Sequence, residues 1–234
     1  MNIPILYEDN HLLVVEKPVN MPVQKDKTED DDLHNFLKRD LKIRYQKPGN
    51  VYLGLVHRLD RPVGGAIVFA KTSKAASRLS DMLRRRVIHR KYLAVVRGVP
   101  LKREATLEHY LVKNRRKNKV FTTSPGDKQA KKAVLDYEVL DVTGDMSLLS
   151  VELHTGRPHQ IRVQLAETGC PLYGDQKYGG HTNKIGEQIA LWAHYLQFEH
   201  PVKKEPVTFH SKPPKKHPWT QWSTGAWHHP NFVE

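Results

Sequence analysis

A chain of 234 residues with 38% hydrophobic content can build the core of one large domain or of two small ones. Its 38 Lys+Arg against 25 Asp+Glu leave a formal net charge of +13, which favours a polyanionic partner, nucleic acid first and an anionic membrane second. Cys170 is the only cysteine, which excludes an intrachain disulfide and a multi-cysteine zinc site. The N-terminus has no basic leader and no segment approaches the ~20 apolar residues of a spanning helix, so a reducing cytoplasm is the expected compartment.

Ile5-Leu6-Tyr7 and Leu12-Leu13-Val14-Val15 read as short strands around a turn at Glu8-Asp9-Asn10, the second ended by Lys17-Pro18. After a polar loop over 20–27, Thr28 is placed to begin a helix, with Glu29 to Asp32 at its positive end and Leu33, Phe36, Leu37 and Leu41 on its apolar face. Val51–Val56 and Ala66–Ala70 read as strands, rich in apolar, β-branched and aromatic residues. Between them lies His57-Arg58-Leu59-Asp60-Arg61-Pro62-Val63-Gly64-Gly65, a loop with one carboxylate between two arginines. Leu59 is expected to anchor it, and the Gly pair to let the backbone pack closely. A loop braced by two strands is a common place for working residues.

Thr72 or Ser73 caps a second predicted helix, whose apolar face is Ala75, Ala76, Leu79, Met82 and Leu83 and whose end is Arg84-Arg85-Arg86. Arg90 to Gly98 is a strand with a basic entry containing Tyr92. Residues 112–133 carry eight lysines and arginines against Asp127 alone, broken by Pro125-Gly126, and read as a mobile basic loop or hairpin tip. Val134–Val142 and Met146–Leu153 form a predicted antiparallel hairpin across Thr143-Gly144-Asp145. In His154-Thr155-Gly156-Arg157-Pro158-His159-Gln160-Ile161-Arg162, Pro158 suits the first position of a helix that Gly169 can end. Arg162 then falls within the first turn or two. Leu191–Phe198 and Val207–Phe209 are further strands.

Three of these stretches, in this order, resemble the motifs of the RluA-type pseudouridine synthases. His57-Arg58-Leu59-Asp60-Arg61 with Gly65 resembles the family's catalytic loop, Arg90-Lys91-Tyr92 its tyrosine motif, and Thr155-Gly156-Arg157-Pro158-His159-Gln160-Ile161-Arg162 its third motif. Gly64 stands where the family has a serine, Arg90 where it has a lysine and Pro158 where it has a threonine. Because Asp60 and both flanking arginines are intact, a small effect is expected from Gly64. The opening Tyr-Glu-Asp, Leu-Leu-Val-Val, Lys-Pro also resembles the start of the family's catalytic domain, and Leu172-Tyr173-Gly174-Asp175 a turn expected to be structural.

The resemblance covers about residues 5–214 and implies a stand-alone catalytic domain over 1–214, without an accessory RNA-binding domain, and a tail over 215–234 with no assigned role. It implies an α+β fold with a mixed, mostly antiparallel central sheet, flanking helices and a central RNA cleft. It also implies that Asp60 is the catalytic carboxylate, Tyr92 lies against the target base and Arg162 pairs with Asp60. Arg58 would fill the space left by a flipped base. Together with charge density, it points to RNA contacts at His57, Arg61, Arg84, Arg85, Arg86, Arg90, Lys91, Arg115, Arg116, Lys117, Arg157 and His159.

Chemically, a carboxylate among guanidinium groups is favoured in its ionised form, suited to act as nucleophile or base. Whether Asp60 attacks the sugar, adds to the base or removes a sugar proton stays open. With no phosphate-binding Gly-rich loop and no His-Glu-x-x-His, no metal or cofactor is expected. The expected partner is a structured RNA, a tRNA or rRNA element, with no membrane and no obligatory protein partner. The alternative is a non-catalytic RNA-binding or RNA-folding protein on the same scaffold.

Overall fold

A computed structural model describes residues 2–26, 28, 30–222 and 224–227. In chain order its elements are β1 (Ile5–Glu8), β2 (Leu12–Lys17), α1 (Leu33–Arg44), β3 (Gly54–Leu55), β4 (Gly64–Ala70), α2 (Ser73–Arg85), β5 (His89–Arg97) and β6 (Glu104–Asn114). There follow β7 (Lys119–Thr123), β8 (Lys131–Thr143), β9 (Met146–Leu153), α3 (Gln160–Glu167), β10 (Leu191–Glu199) and β11 (Pro206–His210). The chain divides into a first unit, residues up to Arg90 with Ala193–Lys212, and a second, Lys91–Trp192 with the described residues from Pro213 onward.

In the first unit β2 pairs antiparallel with β1 on one side and β4 on the other, and β10 pairs antiparallel with β11. Alternate residues of β2 and β4 bury Leu12, Val14, Ala66 and Val68 against Ala75, Leu79 and Met82 of α2. The opposite faces, Leu13, Val15, Ile67 and Phe69, are equally buried, and His34 of α1 stacks on Phe69. Burial on both faces explains why these strands read as continuous apolar runs without alternation.

The helix expected from Thr28 begins instead at Leu33. Asp32 is its N-cap and accepts from Asn35 N at 2.9 Å, while Thr28 is bonded through N and Oγ1 to Asp26. A free acceptor just before an apolar repeat outcompetes a threonine whose hydrogen bonds are used in a turn. Glu29 lies outside the described residues. For the second helix, Thr72 is the cap and accepts from Ala75 N at 3.2 Å. The strand expected over Val51–Val56 is paired only at Gly54 and Leu55, although Val51 and Leu53 are buried.

The second unit is an antiparallel sheet in which β9 pairs with β5 and β8, β8 with β6, and β6 with β7. The β8/β9 hairpin turns at Gly144, in the left-handed region at φ +60°, as its sequence predicts. β6 and β7 have no counterpart among the predicted strands. The basic stretch is thus a hairpin extending the sheet, with its tip at 115–118, of the two readings the hairpin and not the open loop. Leu111, Val120 and Ala133 pack from it onto Val163 of α3. In the tail, Trp219 and Trp222 are buried and the 3-10 turn Thr224–Trp227 runs beside β8. His228 and His229 lie outside the described residues.

Candidate active site

In the first unit the Asp60 loop is fastened from three sides. Leu59 is buried, as expected of an anchor, and Val63 N donates to Asp60 O at 3.0 Å to close the turn. Gly65, at φ +112°, lies so close to β10 that a Cβ would stand 2.3 Å from Ala193 O. Lys17, opposite Gly65 in the β2/β4 ladder, provides the third fastening. Its side chain has no solvent exposure, and its Nζ donates to Pro18 O at 2.8 Å, Met21 O at 2.6 Å and Arg61 O at 3.0 Å. Three acceptors match the three protons of an ammonium. Burial lowers the Lys17 pKa to about 7, with the Asp60 charge opposing that shift and the Arg61 charge adding to it.

The loop's basic residues differ in what they are engaged with. Arg58 is exposed. Arg61 is held by an acidic segment: its guanidinium pairs with Asp30 and, at 3.6 Å, with Asp26, and it donates to Thr28 Oγ1 and Asn20 O. His57 accepts from Val68 N at Nε2, 3.2 Å away, so its proton sits on Nδ1. Burial, with the Arg90 charge adding to it, lowers the His57 pKa to about 3. A histidine contact to RNA from this position would therefore bring no charge.

In the second unit Tyr92 is buried on β5, opposite Val151 of β9. The helix carrying Arg162 starts two residues later than Pro158 suggests: α3 begins at Gln160, and its N-cap His159 is in the left-handed region at φ 52°. Arg162 is third in this helix and 5% exposed. Its Nε donates to Asp175 Oδ2 at 2.7 Å and its Nη2 to Asp175 Oδ1 at 2.9 Å, a two-pronged pair with a carboxylate that is itself fully buried. The ring of Tyr178 lies over the guanidinium, 5.3 Å from Cζ to centroid. Tyr178 OH is bonded to His159 Nδ1 at 2.7 Å and accepts from Val120 N at 2.8 Å. Arg157 Nε donates to Lys132 O, which ties the third motif to β8.

The remaining basic residues are distributed over both units. Arg84 and Arg85, 80% and 59% exposed at the side chain, both pair with Asp81, and Arg86 caps α2 in the left-handed region. Arg90 is half-buried, its Nε without a hydrogen-bond acceptor among the described residues, and Lys91 lies 3.8 Å from Glu152. Arg115, Arg116 and Lys117 are exposed at the hairpin tip. Two residues bound to the motifs, Lys17 to the backbone carbonyl of Arg61 and Asp175 to the side chain of Arg162, were absent from the sequence-derived set. Lys17 reads in sequence as a strand end and Asp175 as a turn residue. Their only local signals are the Lys-Pro and Tyr-Gly-Asp stretches.

A protein-family model described as "RNA pseudouridylate synthase" matches residues 11–167, a span that holds all three motifs. YhcT of Bacillus subtilis (strain 168), an uncharacterised RNA pseudouridine synthase, is 35% identical over 86% of this chain, which spans 65% of its length. YjbO of the same organism, likewise an uncharacterised RNA pseudouridine synthase, is 34% identical over 90% of this chain and 72% of its own. The ribosomal large subunit pseudouridine synthase D of Vibrio cholerae is 34% identical over 90% of this chain and 67% of its own. Among solved structures, human RNA pseudouridylate synthase domain containing 1 superposes with a TM-score of 0.71 at 26% identity, over 92% of this chain and 85% of its own. Human RNA pseudouridylate synthase domain containing 4 shares the fold, with a TM-score of 0.77 at 24% identity over 91% and 89%. With the family match spanning both the Asp60 loop and the start of α3, and with relatives above 30% identity along most of its length, the chain belongs to the RNA pseudouridylate synthase family, enzymes that act on RNA.

Proposed function

We propose that this chain converts uridine in a structured RNA to pseudouridine, with Asp60 as the catalytic carboxylate. The observation that carries this reading is the fastening of the Asp60 turn by Leu59, Gly65 and Lys17, within a stretch that matches the family. A carboxylate in that setting is pre-positioned, which is what a nucleophile or base requires. Tyr92 is assigned to stack on the target base and Arg162 to orient the reacting carboxylate, both by motif match. Arg58, exposed on the loop, is assigned to fill the space of the flipped base. Arg84 to Arg86, Arg90, Lys91, Arg115 to Lys117, Arg157 and His159 are assigned to the RNA; Arg61 reaches it by exchanging its carboxylate partners for phosphate.

Catalysis is assigned to residues 1–214 in the cytoplasm, and the tail over 215–234 is given no role. The substrate is a tRNA or rRNA element, and the name of the Vibrio relative supports testing large-subunit rRNA first. The test combines mapping and mutation. Pseudouridines are mapped in cellular RNA with and without the protein, and Asp60→Asn is assayed on the site found. The variant should bind that RNA within about threefold of wild type and form no product, a loss of at least about 10⁴-fold. Product formation by Asp60→Asn at a near-normal rate refutes the role, and an unchanged pseudouridine map refutes the activity.

A further inference from the structure

Arg162 is a buried cation on a long side chain, and such a group keeps one geometry only if its surroundings impose it. Asp175 binds the guanidinium side-on at Nε and Nη2, which fixes the plane of the fork and leaves Nη1 outside this grip. The carboxylate is itself held, because Oδ1 also accepts from Lys177 N at 3.0 Å and Tyr178 N at 3.3 Å. Tyr178 then covers one face of the guanidinium.

The turn that delivers Asp175 is fastened in the same manner. Gly174 adopts φ +76°, and a Cβ there would stand 2.3 Å from Gln188 O. Gly174 N donates to Asn183 Oδ1 at 2.9 Å, and Asn183 Nδ2 donates to Leu172 O at 2.8 Å. Leu172 in turn bridges to Val96 of β5. A continuous set of buried contacts thus runs from β5 through this turn to the plane of the Arg162 guanidinium.

We propose that Asp175 is a positioning residue for the reaction: it does not touch RNA and acts by holding Arg162 in the one orientation in which Arg162 works. This rests on the functional role assigned to Arg162 above. A purely structural Asp175 would neutralise a buried charge and affect stability alone. A positioning Asp175 affects the rate through Arg162, and a misplacement of about 1 Å at a working group can cost about 100-fold.

The experiment compares wild type, Asp175→Asn, Arg162→Lys and the double variant, each well below its melting temperature. Single-turnover pseudouridine formation is measured at saturating RNA, and Arg162 Nε–H is followed by ¹⁵N NMR. Asp175→Asn should slow the chemical step about 30- to 100-fold with RNA affinity within about threefold, and the ordered Nε–H signal of Arg162 should broaden or disappear. The double variant should be no slower than the slower single variant, within about threefold, because both remove one interaction. Multiplying effects, an unchanged Nε–H signal, or a near-normal rate for Asp175→Asn each overturn the proposal. Where Asp175→Asn lacks a cooperative melt, Asp175→Glu makes the same comparison with the charge kept and the carboxylate displaced. Wild-type protein that forms no pseudouridine refutes the activity itself. Active wild type with an equally active Asp175→Asn refutes the positioning role alone.

Discussion

The Lys17 ammonium gives its three protons to three backbone carbonyls and is closed off from water, so its removal acts on the Asp60 turn directly. Lys17→Met keeps most of the apolar stem and leaves the carbonyls of Pro18, Met21 and Arg61 without this donor. It should lower stability by about 2–4 kcal/mol, read from the denaturant midpoint. The wild type should also become more stable above neutral pH. Between about 7, the value in the folded protein, and 10.5, the ordinary lysine value, the unfolded chain holds a proton that the native chain has released. Stability from this group then rises with pH by up to about 1.4 kcal/mol per unit. Below pH 7 both states are protonated and the slope vanishes. Lys17→Met should flatten the rise above pH 7, and a variant whose stability climbs as steeply as wild type contradicts this account.

At the scale of elements, two glycines separate conformational cost from packing cost. Gly144, at φ +60° in the β8/β9 turn, has open space where a Cβ would go. Gly144→Ala should therefore cost only the left-handed penalty, about 1–2 kcal/mol. Gly65, at φ +112°, would drive its Cβ into backbone atoms of Ala193, which cannot yield without moving β4 or β10. Gly65→Ala should lose more than about 4 kcal/mol or fail to accumulate as soluble protein, measured by melting temperature and soluble yield. The β6/β7 hairpin shows how a highly basic segment stays ordered. Its backbone is satisfied in the ladder, Val120 packs inward, and Lys177 Nζ and Tyr178 OH bind the backbone at Asn118 and Val120.

For the whole molecule the net charge of +13 governs association more than stability. Arg115, Arg116 and Lys117 are exposed together at the hairpin tip. Each cation that meets a phosphate releases bound counterions and steepens the salt dependence of binding. Converting these three to Gln should weaken RNA binding and make the slope of log K against log salt shallower by about 2, as titrations at several salt concentrations would read. Melting temperature should stay within about 2 °C, because exposed charges contribute little to folding. An unchanged slope would place the hairpin tip away from the RNA.

Local pattern was sufficient where local forces decide the outcome. The apolar runs of β2, β4, β5, β9 and β10 are legible because burial selects their residues one by one, and the β8/β9 turn because Gly144 has the backbone freedom it needs. Asp60, Tyr92 and Arg162 stood out in the sequence through contiguous motifs. Other features were decided only when distant segments met. β6 and β7 are ladder strands on either side of an exposed, mostly cationic run, Lys113 to Lys117, so composition masks a pairing that the backbone makes. α1 starts at Leu33 because Asp32 and not Thr28 has an acceptor available to the first turn. Lys17 reaches a carbonyl 44 residues away and Arg162 a carboxylate 13 residues away. The sequence by itself determined the family, the strands and the motif residues. Only the tertiary structure decided which buried partner holds each charge, because burial makes pairing obligatory while local periodicity carries no record of the partner.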